Sequence, residues 1–75
     1  MKTYNVEAVS KEGYINESAN FCFNDVRETL TAAMRTARKL AKRNFYVRIT
    51  TPGERGVVWE AGVRPEFPRF ADGNF

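Results

Sequence analysis

The chain contains no histidine and only one cysteine, Cys22. Without imidazole it lacks the usual general base near neutral pH and the commonest nitrogen ligand for metals. A single thiol can form no internal disulfide and gives a thiolate metal site nothing to build on. The expected setting is a reducing cytoplasm, with Cys22 serving as a small hydrophobe in a strand. Long apolar runs are missing as well. No stretch approaches the roughly 20 residues that span a bilayer, and the opening Met-Lys-Thr-Tyr-Asn-Val-Glu is not an apolar leader, so no membrane partner is expected.

Arrangements that carry chemistry are also lacking. The carboxylates Glu7, Glu12, Glu17, Asp25, Glu28, Glu54, Glu60, Glu66 and Asp72 are scattered, with no close pair suited to acid–base work. No glycine-rich turn opens a helix to cradle phosphate; the residues before the helix are Phe-Cys-Phe-Asn-Asp. Neither an enzyme, a cofactor nor a metal is expected. Seventy-five residues make one domain, and a chain this short buries only about 60–65% of its unfolded surface. The core is then marginal, and both a monomer and a homodimer remain open.

The most informative stretch that is present covers residues 24–44. Asp25 is the expected N-cap, with Asn24 able to shift it by one residue, and Glu28 three residues on from Asp25 completes a capping box. Val26, Leu30, Ala33, Ala37 and Leu40, widened by Met34 and Ala41, recur at helical spacing and predict one buried stripe. Asn44 is the expected stop, since asparagine tolerates the left-handed conformation of a helix C-terminus. The opposite side gathers Arg35, Arg38, Lys39, Lys42 and Arg43, at i, i+3, i+4, i+7 and i+8. Two readings apply to these cations. They complement the negative end of the helix, each contributing roughly 0.3–1 kcal/mol, or they form a contact patch for an acidic partner.

Either side of this helix the pattern alternates. Residues 2–10 place Tyr4, Val6 and Ala8 on one face, and residues 14–23 place Ile15, Ala19, Phe21 and Phe23 likewise. Glu17 interrupts that second series, which predicts either a bulge or a strand end near it. After the helix, Phe45, Val47 and Ile49 point inward while Tyr46, Arg48 and Thr50 point outward. Pro52-Gly53 marks a turn, and Val57, Trp59 and Ala61 share a face beyond it. The expected fold is α+β, in the order β-β-α-β-β, with one helix on one face of a four-stranded, mostly antiparallel sheet in spatial order 2-1-3-4. The other face is expected to be wet. Residues 1–63 form the domain and residues 64–75 an extended tail. Pro65 and Pro68 keep the tail out of regular structure, and the rings of Phe67, Phe70 and Phe75 either cover a sheet edge or engage a partner.

The partner-binding residues expected from this reading are Arg35, Arg38, Lys39, Lys42 and Arg43 on the helix, with Tyr46 and Arg48 on the open sheet face. A larger acidic protein is the first candidate partner, because arginine pairs bidentately with carboxylates and lysine adds long-range attraction. The alternative is nucleic acid, with Tyr46 and Tyr14 stacking unpaired bases. Helix and open sheet face would lie on opposite sides of the domain, so they could not form one groove.

This organisation, one helix over residues 25–43 packed on strands at 2–10, 14–23, 45–51 and 57–61, resembles small bacteriophage-encoded anti-CRISPR and related anti-defence proteins. The resemblance covers architecture across residues 1–63, carries no diagnostic motif and transfers no site residue. It implies a non-enzymatic inhibitor that binds a CRISPR effector complex in the bacterial host cytoplasm and hinders DNA binding or nuclease recruitment. Inhibitors that imitate DNA are strongly acidic, whereas this chain carries a net charge of +3, so the resemblance implies blocking of a protein surface or perturbation of its contact with DNA.

Overall fold

Alternation in the first segment produces β1 (Tyr4–Val9), which sends Tyr4, Val6 and Ala8 to the side of the single helix. The computed structural model describes residues 2–65. The expected rings Phe67, Phe70 and Phe75 lie outside that range. A tight turn, closed by Gly13 N–H donating to the Ser10 carbonyl at 2.9 Å, leads into β2 (Ile15–Phe21). After α1 (Val26–Ala41), β3 (Tyr46–Thr50) and β4 (Trp59–Gly62) complete one sheet in the order β2-β1-β3-β4, with every neighbouring pair antiparallel. The fold class and strand order are those the sequence predicts.

Packing follows from the small residues on α1. Ala33 and Ala37 let the helix backbone approach the sheet closely, and Val6, Ala8, Val47 and Ile49 are fully buried beneath it. Burial of the Val and Ile side chains stabilises the fold by roughly 1.5–3 kcal/mol each. The helix lies over β1, β2 and β3, leaving β4 at the margin of the layer. Leu30, Met34, Ala41 and Trp59 are only partly buried against this core.

The helix ends depart from expectation in instructive ways. Asp25 is the N-cap, and its Oδ1 accepts the amides of Arg27 at 2.8 Å and Glu28 at 3.3 Å. Thr29, rather than the Glu28 carboxylate, closes the turn. Its hydroxyl donates to the Asp25 carbonyl at 2.8 Å and accepts the Phe23 amide at 2.9 Å. Thr29 is buried, and Val26, expected in the stripe but placed in the first turn of the helix, is 45% exposed. At the other end the C-cap is Lys42 in right-handed geometry, and among the described residues none other than glycine has positive φ. Asn44 ends the helix with its side chain instead: Nδ2 donates to the Leu40 carbonyl at 2.9 Å. A side-chain amide thus supplies one of the donors that the last turn needs.

Irregularities in the strands change which residues share a face. Ala8 pairs with Glu17 but Val9 pairs with Ile15, so Asn16 is the extra residue of a bulge. Of the two expectations at Glu17 the bulge is the one present, and its consequence is that Ile15 sides with Val9, away from the helix, and is 52% exposed. Phe23 and Phe45, expected inward, lie outside the strands and are exposed. The β3–β4 connection turns at Pro52-Gly53, where φ of +81° at Gly53 suits the third position of a type II turn. Gly62 is required for another reason: a Cβ there would overlap the Phe45 carbonyl.

The far face of the sheet is wet at its edges, where Ser18, Asn20 and Glu60 are exposed, but its centre is not the wet surface expected. Val9 is fully buried, Tyr46 is 1% exposed and Arg48 is 5% exposed. Pro65, just after β4, is buried as well. Alternation correctly separates the two faces, but it carries no information on which of them is covered.

Candidate protein-docking face

The two groups of predicted contact residues have different fates. Tyr46 and Arg48 stand on the far face, in a row that β-pairing assembles from three strands. Glu7 lies opposite Arg48 on β1, and Glu60 lies opposite it on β4. Arg48 Nε donates to Glu7 Oε1 at 2.6 Å, and the two side chains are 6% and 23% exposed. Tyr46 Oη donates to Glu60 Oε1 at 2.6 Å, and Arg64 donates to the same oxygen at 3.0 Å. Burial, reinforced by the Glu60 carboxylate, pushes the Tyr46 phenol up to about 12. Glu60 is lowered by its hydrogen bond from Tyr46 and by Arg64. These groups hold strands together, and neither Tyr46 nor Arg48 presents itself to a partner.

Arg43 also leaves the predicted patch. Its guanidinium meets Glu17 on β2 with both Nε, at 3.0 Å to Oε2, and a terminal nitrogen, at 2.7 Å to Oε1. Asn44 adds a bond to Glu17 Oε2 at 2.9 Å. The Arg43 and Asn44 hydrogen bonds hold the Glu17 carboxyl down at about 2, and Arg43 is raised in turn. Glu17 thus explains its own position at the bulge: it reaches the end of α1 from an edge strand.

Arg35, Arg38, Lys39 and Lys42 remain together. All four are exposed, and none has an ion pair among the described residues. Three sheet and loop cations contrast with them: Lys2 pairs with Glu54, Arg48 with Glu7 and Arg64 with Glu60, while the turn cations Lys11 and Arg55 are exposed singly and have no ion pair among the described residues. Between Glu28 and the end of α1 there is no Asp or Glu, so the helix cannot neutralise its own last three turns through i, i+4 pairs.

These cations border a groove of about 590 Å³, lined among the described residues by Leu30, Thr31, Met34, Arg35, Arg38, Lys39 and Lys42. Leu30, Met34, Arg38 and Lys42 form one row at intervals of four; Thr31, Arg35 and Lys39 form the next. The groove is the furrow between two adjacent ridges of one helix. Across the Thr31–Arg35 ridge lies a smaller depression that includes Phe23, Ala32 and Glu28. Leu30 and Met34 are the residues the sequence reading did not place at the site, because they fit the buried stripe. Their position at its edge, next to Arg35 and Arg38, was the available signal.

Chemically the face offers guanidinium and ammonium donors beside an apolar floor. Among the described residues no group of three His, Cys, Asp or Glu side chains converges as a metal site, and no helix is long and apolar enough to cross a membrane. Comparison with protein-family models, with curated proteins and with solved structures finds no match.

Proposed function

We propose that this protein is a non-enzymatic inhibitory module that docks through the outer face of α1 onto an acidic surface of a larger protein. One observation carries the reading: Arg35, Arg38, Lys39 and Lys42 are exposed together and unpaired among the described residues while Lys2, Arg48 and Arg64 have carboxylate partners. Charges of this kind raise the association rate and select the partner. The Leu30–Met34 floor supplies the apolar contact that affinity also needs. In line with the anti-CRISPR resemblance, the partner is a CRISPR effector complex in a bacterial cytoplasm, and the bound module hinders its DNA binding or nuclease recruitment.

The test is protection of phage in bacteria carrying active CRISPR systems of different types. The protein is expected to restore plating against at least one type, and Arg35→Glu/Arg38→Glu/Lys42→Glu to abolish that restoration. Absence of protection across the types, or protection untouched by the triple variant, rejects the reading. The same exposed cations also support direct nucleic-acid binding, although the aromatic sheet platform is closed by the burial of Tyr46 and Arg48. That alternative requires affinity of the isolated protein for DNA that falls steeply with salt.

A further inference from the structure

We infer that the groove on α1 is a receptor for one acidic amphipathic α-helix presented by the partner; this rests on the docking reading above and names the element that docks. The shape of the groove points to a helix. Its lining residues among the described ones fall on two adjacent rows at i+4 spacing, and the furrow between such rows receives the side-chain ridge of a second helix, with axes about 8–10 Å apart. It runs from residue 30 to residue 42, about 18 Å or three helical turns.

The chemistry along the groove is uneven, and this sets the occupant's pattern. Leu30 and Met34 lie toward the N-terminus of α1 and are half-buried; Arg35, Arg38, Lys39 and Lys42 lie toward its C-terminus and are exposed. Methionine adapts its shape to an incoming side chain better than a branched residue does. A phosphate backbone would use the cations but leave the apolar floor uncovered. A purely apolar helix would cover the floor but leave the cations without counter-charge. An acidic helix with apolar residues one to two turns along satisfies both ends, with carboxylates bidentate on Arg35 and Arg38.

Orientation follows from the occupant's own helix chemistry. Acidic residues are stabilising in the first turn of a helix. Laid antiparallel to α1, the occupant places that turn against Arg38, Lys39 and Lys42 and its next apolar residues against Leu30 and Met34. Glu28, lining the neighbouring depression, repels acid from the other end and reinforces this direction.

The experiment is selection of a displayed library of random 18-residue peptides on the purified full chain. The expected winners carry Asp or Glu at three- or four-residue spacing, followed within two turns by Leu, Ile, Met or Phe. A synthetic winner is expected to gain helical circular dichroism on binding and to lose at least tenfold in affinity for Arg35→Glu/Arg38→Glu/Lys42→Glu, whose thermal melt confirms folding. No enrichment, winners without acids, binding without helix, undiminished binding to the triple variant, or equal affinity for polyglutamate each overturns the inference. So does tighter binding of a 20-nucleotide single-stranded DNA. If selection fails while the triple variant loses phage protection, the helix receptor falls and the docking reading stands. Acidic helical winners combined with protection untouched by the triple variant give the reverse.

Discussion

The far face of the sheet and the outer face of α1 both carry arginines, yet their charges end in opposite states. On the far face Arg48 meets Glu7 and Arg64 meets Glu60. On α1 four neighbouring cations meet no acid among the described residues. Topology accounts for the contrast. A sheet brings positions 7, 48 and 60 into one row, so charges far apart in sequence neutralise one another. A helix sets side by side only residues three or four apart, and α1 has no carboxylate beyond Glu28 to offer its last three turns. Charge on this helix is therefore available to another molecule.

The largest expected effect comes from breaking the buried side of the contrast. Arg48→Ala leaves Glu7 without the guanidinium it faces at 2.6 Å, and stability is expected to fall by about 3 kcal/mol, read as a lower denaturant midpoint. An unchanged midpoint would place the pair with ordinary surface pairs and erase the distinction between the faces.

Glu17 tests the boundary between the two regions. Its carboxyl is lowered from 4.5 to about 2 in the folded chain. The stabilisation it brings is thus fully present above about pH 4.5 and is lost as pH falls toward 2. Glu17→Gln is expected to flatten the fall in melting temperature across that window. If the variant and the parent decline in parallel, Arg43 is not held by Glu17 in solution and belongs with the exposed cations after all.

The smallest effect belongs to the outer face itself. Arg38→Ala removes an exposed side chain with no ion pair among the described residues, and is expected to change stability by no more than about 0.5 kcal/mol. A loss comparable to that of Arg48→Ala would mean that the fold uses this cation, leaving less for a partner.

Much of the architecture was legible because it depends on local periodicity. Alternation located four strands, the three-and-four spacing located α1, and matching element lengths led to the order β2-β1-β3-β4. Departures occurred where a single residue overrode the period. Thr29 hydrogen-bonds back to Phe23 and Asp25 and joins the buried stripe, where the spacing had placed Val26, which is exposed in the first turn. The extra residue at the bulge sends Ile15 to the opposite face. At the candidate site, Arg35, Arg38, Lys39 and Lys42 were legible from helical spacing alone. The loss of Arg43, Tyr46 and Arg48 was not, because their partners Glu17, Glu60 and Glu7 lie 26, 14 and 41 residues away in the chain.

Sequence by itself determined the helix, its cap at Asp25, the alternating strands and the run of cations free of interleaved acid, since all of these are set by neighbours within a few residues. Tertiary structure alone decided which cations stay unpaired, that the centre of the far sheet face is covered and that Leu30 and Met34 floor a groove. Those outcomes depend on strand register and layer packing, which join residues that local spacing cannot relate.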